Sequence, residues 1–244
     1  MQDINVFKRY EIKYILTSAQ RSKLMDAMDG IMEIDRYGKT TIRNIYFDTD
    51  DHRIIRTSLD KPAYKEKLRV RSYQRIRDDD DVFVELKKKY ESVVYKRRIR
   101  IPEYLAMDWL AAGGDRPVDS QIAKEIGYFT EFYEGISPKV FLSYEREAYY
   151  PVNGTDTRLT LDSNIIARDH DLSLRSGVYG NNVIDRDLSV LEIKVSASMP
   201  MWIIRFLREN NINRSSFSKY GMYYRNMILH PAQETERTGG LIYA

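Results

Sequence analysis

Cysteine is absent from the 244 residues, and histidine occurs only as His52, His170 and His230. Without thiols there is neither a disulfide framework nor a thiolate metal centre, which fits a cytoplasmic chain. Three scattered imidazoles do not make a zinc site or a histidine-based nucleophile triad. No apolar run approaches the roughly 18 residues that a membrane-spanning helix needs, and the mean hydropathy is −0.53. The opening Met1-Gln2-Asp3-Ile4-Asn5 has neither the basic start nor the apolar stretch of a signal peptide. Net charge is also small, +3 from 39 Lys and Arg against 36 Asp and Glu. That balance excludes a bulk electrostatic binder of nucleic acid. Internal repeats and linker-like stretches are missing too, so the expectation is one domain over 1–230 and a disordered tail over 231–244.

What the chain does have is alternation. Lys67-Leu68-Arg69-Val70-Arg71, Glu85-Leu86-Lys87-Lys88-Lys89 and Lys96-Arg97-Arg98-Ile99-Arg100 place charge at every second position. Strand side chains alternate between the two faces of a sheet, so each segment projects a charged row and a more apolar row.

The same reading extends along the chain. Strands are expected at 9–16, 41–48, 64–73, 82–90, 93–101, 139–150, 155–162, 165–168 and 189–196. Thr17-x-x-Gln20 is a capping box opening a helix that buries Leu24, Met28 and Ile31. Pro102 opens a helical insert, and Asp119 is placed to cap a second helix carrying Ile122, Ile126, Phe129 and Tyr133 on one stripe. The run Asp78–Asp81 reads as a solvated hairpin tip. Two helices close the chain, at 199–210 and from Ser215 to about Leu229.

On these registers the charged rows hold Arg9, Lys13, Lys67, Arg69, Arg71, Lys87, Lys89, Lys96, Arg98, Arg100, Arg146, Arg158 and Lys194. They hold only Glu11, Glu85 and Glu192 in opposition, a local excess of ten on a chain of +3. A sandwich with a solvated outer face accommodates alternating charge. A closed barrel with helices outside and cations inside accommodates it as well, and also explains why these rows are nearly all Arg and Lys. Such an interior needs anions to offset like-charge repulsion. Arg matches phosphate oxygens with its planar fork, and Lys adds compact charge.

Glu192 is an odd acid among phosphates unless it holds Mg²⁺ or Mn²⁺, which binds one or two carboxylates plus phosphate oxygens. An ion pair to a neighbouring cation is its other reading. Ser215-Ser216-Phe217-Ser218-Lys219 reads as a phosphate site at a helix start or as plain N-capping. Lys219 favours the former, since a cation is unfavourable at a helix N-terminus unless an anion is bound.

Nine ordered motifs carry a resemblance over about 7–229. They are Arg9-Tyr-Glu-Ile-Lys13-Tyr, Ile45-Tyr-Phe-Asp48, Leu68-Arg-Val-Arg71, Val84-Glu-Leu-Lys87 and Tyr95-Lys-Arg-Arg98, then Tyr144-Glu-Arg146, Arg158-Leu-Thr-Leu-Asp162, Leu191-Glu-Ile-Lys194 and Phe217-Ser-Lys-Tyr220. The chain resembles the polyphosphate polymerase (VTC) domain, a branch of the triphosphate tunnel metalloenzyme superfamily that includes the CYTH proteins. The resemblance implies an α+β fold whose eight antiparallel strands close into a tunnel with flanking helices. It implies ATP and inorganic polyphosphate as ligands, Mn²⁺ or Mg²⁺ as cofactor, and no nucleic acid. Lys13, Arg69, Arg71, Lys87, Lys96, Arg98, Arg146, Arg158, Ser218 and Lys219 would then contact phosphates. Lys194 joins them on its strand, Tyr144 would line the nucleotide end, and Glu192 with Glu11 would hold the metal. The superfamily opens with Glu-x-Glu-x-Lys where this chain has Arg9-x-Glu11-x-Lys13, which favours the polymerase-like branch over the two-metal triphosphatases. Yeast members also carry an inositol-phosphate-sensing domain and membrane helices. Neither occurs in these residues, so their regulation and export do not carry over; a membrane partner and the oligomeric state stay open.

The implied reaction moves the ATP γ-phosphoryl group onto a growing polyphosphate chain and releases ADP. Lys13, Arg69, Arg71, Arg146 and Lys219 would be the catalytic cations. An ionised phosphate needs no general base, which agrees with the scarcity of histidine. A tri- or polyphosphatase and a non-catalytic polyphosphate-binding module are the rival expectations.

Overall fold

Period-two alternation becomes strand nearly everywhere it occurs. The computed structural model describes residues 10–229 apart from 78, 92, 155 and 197, so Arg9, Asp78 and the expected tail lie outside the described residues. The chain is α+β, with a large antiparallel sheet and six helices among the described residues. Eight strands have seven residues or more: β1 Tyr10–Leu16, β3 Thr40–Asp48, β4 Tyr64–Ser72, β5 Asp81–Tyr90, β6 Val93–Pro102, β7 Ser137–Pro151, β8 Thr157–Arg168 and β10 Ser189–Val195. The other three, β2 Met32–Ile34, β9 Asn181–Asn182 and β11 Arg214–Ser215, are too short to leave a pattern in sequence. The helices are α1 Ser18–Met28, α2 Arg53–Leu59, α3 Glu103–Ala111, α4 Gln121–Phe132, α5 Met201–Glu209 and α6 Lys219–Tyr223.

The chain forms two compact units. The first comprises the residues up to Thr40, Tyr144–Ile165 and those from Asn182 onward; the second comprises Thr41–Ser143 and Ile166–Asn181. In the second unit β3, β4, β5 and β6 are consecutive antiparallel neighbours. Ile45, Phe47, Leu68, Val70, Val82, Val84, Leu86 and Ile101 turn one face of these strands toward Ile54 of α2, Trp109 and Leu110 of α3, and Ile126 and Phe129 of α4. In the first unit β11, β1, β10 and β8 are neighbours in that order. There Tyr14, Leu16, Leu159, Leu161, Leu191 and Ile193 pack with Leu24 and Met28 of α1 and Ile203, Phe206 and Leu207 of α5. Each buried Leu, Ile or Phe contributes about 1.5–3 kcal/mol. With one face of every strand committed to a core, the alternation sends the charged row to the other.

Local chemistry corrects several expectations. The Thr17–Gln20 capping box is present, but the helix stops at Met28. Gly30, at φ +68°, then reverses the chain and leaves Ile31 exposed. Ser120, not Asp119, caps α4, because its Oγ is the one placed to accept from the Ala123 amide at 3.1 Å. Asp119 instead pairs with Lys124 at 3.0 Å. The strands expected separately at 155–162 and 165–168 are one, β8, which passes through Asn164 in the left-handed region at φ 49°. The last helix does not start at Ser215, because Arg214 and Ser215 pair with Tyr14 and Lys13 of β1. It begins at Lys219 and passes into a π-helical turn, Tyr224–Leu229.

Two buried charges organise loops in the second unit. Arg168, fully buried, donates to the carbonyls of His170, Asp171, Gly177 and Tyr179 and lies 3.7 Å over the Phe141 ring. Asp48, also fully buried, accepts from the amides of Thr49, Ile54 and Ile55 at 2.9, 2.8 and 3.0 Å. It therefore satisfies the first turn of α2, whose own N-cap residue, His52, makes no side-chain cap. Asp48→Ala removes three charge-assisted bonds and orphans buried donors, so it should cost about 3 kcal/mol in urea unfolding. Asp48→Asn, which keeps one acceptor oxygen, should cost less.

Candidate functional site

In the second unit the registers set charged residues side by side across the strands. Tyr46, Arg69, Glu85 and Arg98 form one line from β3 to β6. Asn44, Arg71, Phe83 and Arg100 form the line on one side of it. Lys67, Lys87 and Lys96 form the line on the other. Glu85, 1% exposed, sits at the centre. Its Oε2 accepts from Arg69 Nε and Nη2 at 2.9 and 2.8 Å and lies 3.7 Å from Arg71 Nη1. Its Oε1 lies 2.7 Å from Lys96 Nζ and 3.2 Å from Arg98 Nε. One carboxylate thus faces four cations, an excess of three charges.

Neighbouring groups hold those cations in place. Arg69 Nη1 donates to the Tyr46 hydroxyl at 2.9 Å, and Arg71 Nε donates to Asn44 Oδ1 at 2.9 Å. Asn44 in turn donates to the Leu142 carbonyl at 2.9 Å, so its amide is fixed from both ends. Arg98 donates to the Tyr73 hydroxyl at 2.9 Å and lies 3.5 Å over the Phe83 ring.

The electrostatics carry the same signature. Burial opposes ionisation of Glu85, but Arg69, Arg71 and Lys96 outweigh it and hold the carboxyl far below its usual range. Burial also raises the Tyr46 phenol, and Arg69, Arg71 and Lys67 override that to bring it down to about 8. Lys96 is lowered to about 8 by burial first, with Arg69 and Arg71 acting against the attraction of Glu85.

A second cluster lies in the first unit, around Asp162 of β8. This fully buried carboxylate accepts from Arg146 Nε and Nη2 at 2.6 and 2.7 Å, a bidentate pair, and from Lys219 Nζ at 2.5 Å. Burial opposes its charge, yet Lys219 and Arg146 lower its pKa to about 2. The buried Tyr144 ring lies under both cations, 4.5 Å from Lys219 Nζ and 5.1 Å from the Arg146 guanidinium. On the same sheet face Lys13 is registered with Glu192, and Glu11 and Arg158 flank Lys194. Glu192 pairs with Lys194 at 2.8 Å. Burial raises its pKa, and Lys194, Lys13 and Arg146 together drive it well below the usual value. Lys13 Nζ donates to the Phe217 carbonyl at 3.2 Å. Arg158 lies 4.7 Å over the Tyr150 ring, and its buried Nε has no hydrogen-bond partner.

The expected site residues therefore fall into two groups. Arg69, Arg71, Lys87, Lys96 and Arg98 share one face in the second unit. Glu11, Lys13, Tyr144, Arg146, Arg158, Glu192, Lys194 and Lys219 gather in the first. Ser218 does the plain structural task, accepting from the Gly221 amide at 3.2 Å as the cap of α6. Lys219 has Asp162 as its anion, which removes the sequence argument that a bound phosphate is needed to explain it. Three organising residues escaped the sequence reading. Glu85 was visible only as a minority sign on its row, Asp162 only as the end of its motif, and Tyr46 only as the residue two places before Asp48.

The carboxylates also bear on a divalent ion. Glu85 and Asp162 are already saturated with cations. Among the described residues no three His, Cys, Asp or Glu side chains gather as a metal cage. Glu192 makes the ion pair that was its other reading, through one oxygen to Lys194, and lies diagonally from Glu11 across the β1–β10 ladder on one face. These two carboxylates suit Mg²⁺ or Mn²⁺ that takes its remaining oxygens from phosphate and water.

No helix among the described residues is long and apolar enough to cross a membrane. The VTC domain family model matches residues 8–228. No curated protein sequence matches the chain. Among solved structures it is similar to a putative adenylate cyclase from Bacillus halodurans, with a TM-score of 0.57 and 14% identity over 86% of this chain and 93% of that one. It is also similar to a putative adenylyl cyclase from Hippeastrum, described as having a dominant triphosphatase activity, with a TM-score of 0.51 and 17% identity over 89% and 95% of the two chains. Those identities speak for a shared fold, while the family model spans nearly the whole sequence. The chain belongs to the VTC domain family.

Proposed function

We propose that the chain is a polyphosphate polymerase, transferring the ATP γ-phosphoryl group to the end of a polyphosphate chain and releasing ADP. The observation that carries this reading is the Glu85 cluster, four fixed cations around one carboxylate on a VTC-family chain. In this reading the charged faces line the tunnel that the family resemblance implies. Arg69, Arg71, Lys96 and Arg98 clamp phosphate oxygens, with Lys87 beside them. Their excess charge is set before substrate arrives, so little reorganisation accompanies the spread of negative charge in the transition state. Arg146, Lys219 and Lys13 serve the transferred group, Arg158 and Lys194 hold the chain, and Tyr144 borders the nucleotide. A terminal phosphate oxygen of the acceptor attacks the γ-phosphorus as the bond to the ADP oxygen breaks. The nucleophile is already ionised, so no proton need be removed.

Glu192 with Glu11 would hold Mn²⁺ or Mg²⁺, which when bound neutralises triphosphate charge. With Arg9 where the superfamily has a further Glu, and with Glu85 and Asp162 occupied, the carboxylates suit one metal rather than two. The hydrolase reading uses water as acceptor on the same cations, and one assay separates the two. Incubation with ATP and Mn²⁺ should yield long polyphosphate and one ADP for each phosphate residue added. Release of inorganic phosphate alone would replace the polymerase with a triphosphatase.

Glu192→Gln should reduce turnover by about 100-fold, raising the Mn²⁺ needed for half-maximal rate. Tripolyphosphate binding measured without metal should persist; its loss would mean that Glu192 serves the cation array and not a metal. A bound anion favours protonated Lys96 and neutral Tyr46, raising both pKa values from about 8. Tripolyphosphate binding near pH 8.5 should therefore take up protons, and its affinity should fall as pH rises through about 8. Calorimetry in buffers of different ionisation enthalpy reads the uptake, and Lys96→Gln should diminish it.

A further inference from the structure

The second unit carries a cleft of about 400 Å³ that the charged rows do not explain, lined by α2, α4 and the ends of β4 and β5. Its size lies within the range of small-molecule sites. Two of its rings lie open on α4: Tyr128 is 68% and Phe132 is 53% exposed, and they stack at 6.4 Å with their planes 26° apart. Exposed aromatic rings at i and i+4 on a helix otherwise anchored by Ala123, Ile126 and Phe129 contribute nothing to that helix's core.

The charges in the cleft are unbalanced. Glu66, buried at its floor, is already engaged by phenols: Tyr64 donates to it at 2.7 Å, and Tyr133 also hydrogen-bonds to it. The Arg53 guanidinium lies 5.6 Å over the Phe132 ring and 5.3 Å over Tyr133, with no carboxylate paired to it among the described residues. Lys65, at the edge of the cleft, belongs to the charged face of β4, where it is registered with Lys89. Burial and then Lys89, Lys61 and Lys87 lower its pKa, as befits a cation crowded by its own kind. An aromatic platform beside an uncompensated cation recognises a flat ring that carries an anion. A bare cation is disfavoured, since Arg53 already lies over Phe132 and Tyr133 and Glu66 is taken.

We propose that this cleft binds a nucleotide, its base stacked on the exposed Tyr128 ring, which Phe132 backs, and its phosphate held by Arg53. Arg53 and Tyr128 belong to the helices that cover the apolar face of β4 and β5, opposite the face that carries the Glu85 cluster, so this site is separate from it. It does not depend on the phosphoryl-transfer reading.

AMP is the probe, titrated calorimetrically into the full chain, with hydrogen exchange to locate it. AMP should slow exchange in α4 and the start of β4. Tyr128→Ala and Phe132→Ala should each weaken this binding about tenfold, and Arg53→Met should also weaken it. Both rings are exposed, so the alanine variants should unfold at the parent's denaturant midpoint. Ribose 5-phosphate, which lacks the base, should compete poorly. The proposal falls if AMP leaves α4 unprotected, if the alanine variants bind AMP as the parent does, or if ribose 5-phosphate competes equally. Failure to make polyphosphate from ATP, with the AMP site intact, would sink the polymerase reading alone.

Discussion

Glu85 decides where four cations stand. Arg69, Arg71, Lys96 and Arg98 come from β4 and β6 and would repel one another if nothing lay between them. A single buried carboxylate on β5 gives each an anchor while leaving three charges uncompensated. Tyr46, Asn44, Tyr73 and the Phe83 ring then fix the orientation of the guanidinium planes. A buried ion pair stripped of one partner is strongly destabilising, so the fold depends on Glu85. It holds the array together, and it leaves the array still short of anions.

The apolar rows make that arrangement tolerable. Every strand that bears a cation on one face bears Leu, Val, Ile or Phe on the other, and helices cover the latter. The energy of two hydrophobic cores holds the sheet against the repulsion on its charged side. Asp162 repeats the logic of Glu85 with a different balance. Arg146 and Lys219 share it, so that cluster carries only one excess charge. Lys13, Lys194 and Arg158 gather near Glu192, where acids and cations are more evenly matched. The second unit concentrates positive charge, whereas the first mixes signs.

Strand identity and facing were legible because period two survives in the sequence wherever one face is buried. Arg69, Val70 and Arg71 alone fix which row meets the helices. The position of Glu85 in that pattern was also legible, but its partners were not. Arg69 and Arg98 face it only through two ladders whose registers are set by pairing far along the chain. Lys219 shows a partner that its local sequence did not reveal. Its local context suggested a phosphate at a helix start, while its actual partner, Asp162, is 57 residues away. Helix ends failed for a third reason. Ser215 looked like a cap, but its backbone was already taken by β1, and hydrogen bonds made across a sheet outrank a side chain's local preference. The aromatic cleft was hidden because Tyr128 and Phe132 follow the helical stripe of α4 without belonging to its buried side.

The face formed by β4, β5 and β6 gathers Lys65, Lys67, Arg69, Arg71, Lys87, Lys89, Lys96, Arg98 and Arg100 against Glu85 and Asp81. Without substrate, dissolved counterions must crowd that face to relieve its self-repulsion. Added salt therefore steadies the empty protein. On the polyphosphate reading proposed above, it weakens a bound chain at the same time, because each phosphate that docks must evict the ions standing there. Folding and ligand affinity accordingly respond to ionic strength with opposite signs. The penalty grows with every further phosphate engaged, so longer chains lose more of their grip than short ones as salt rises.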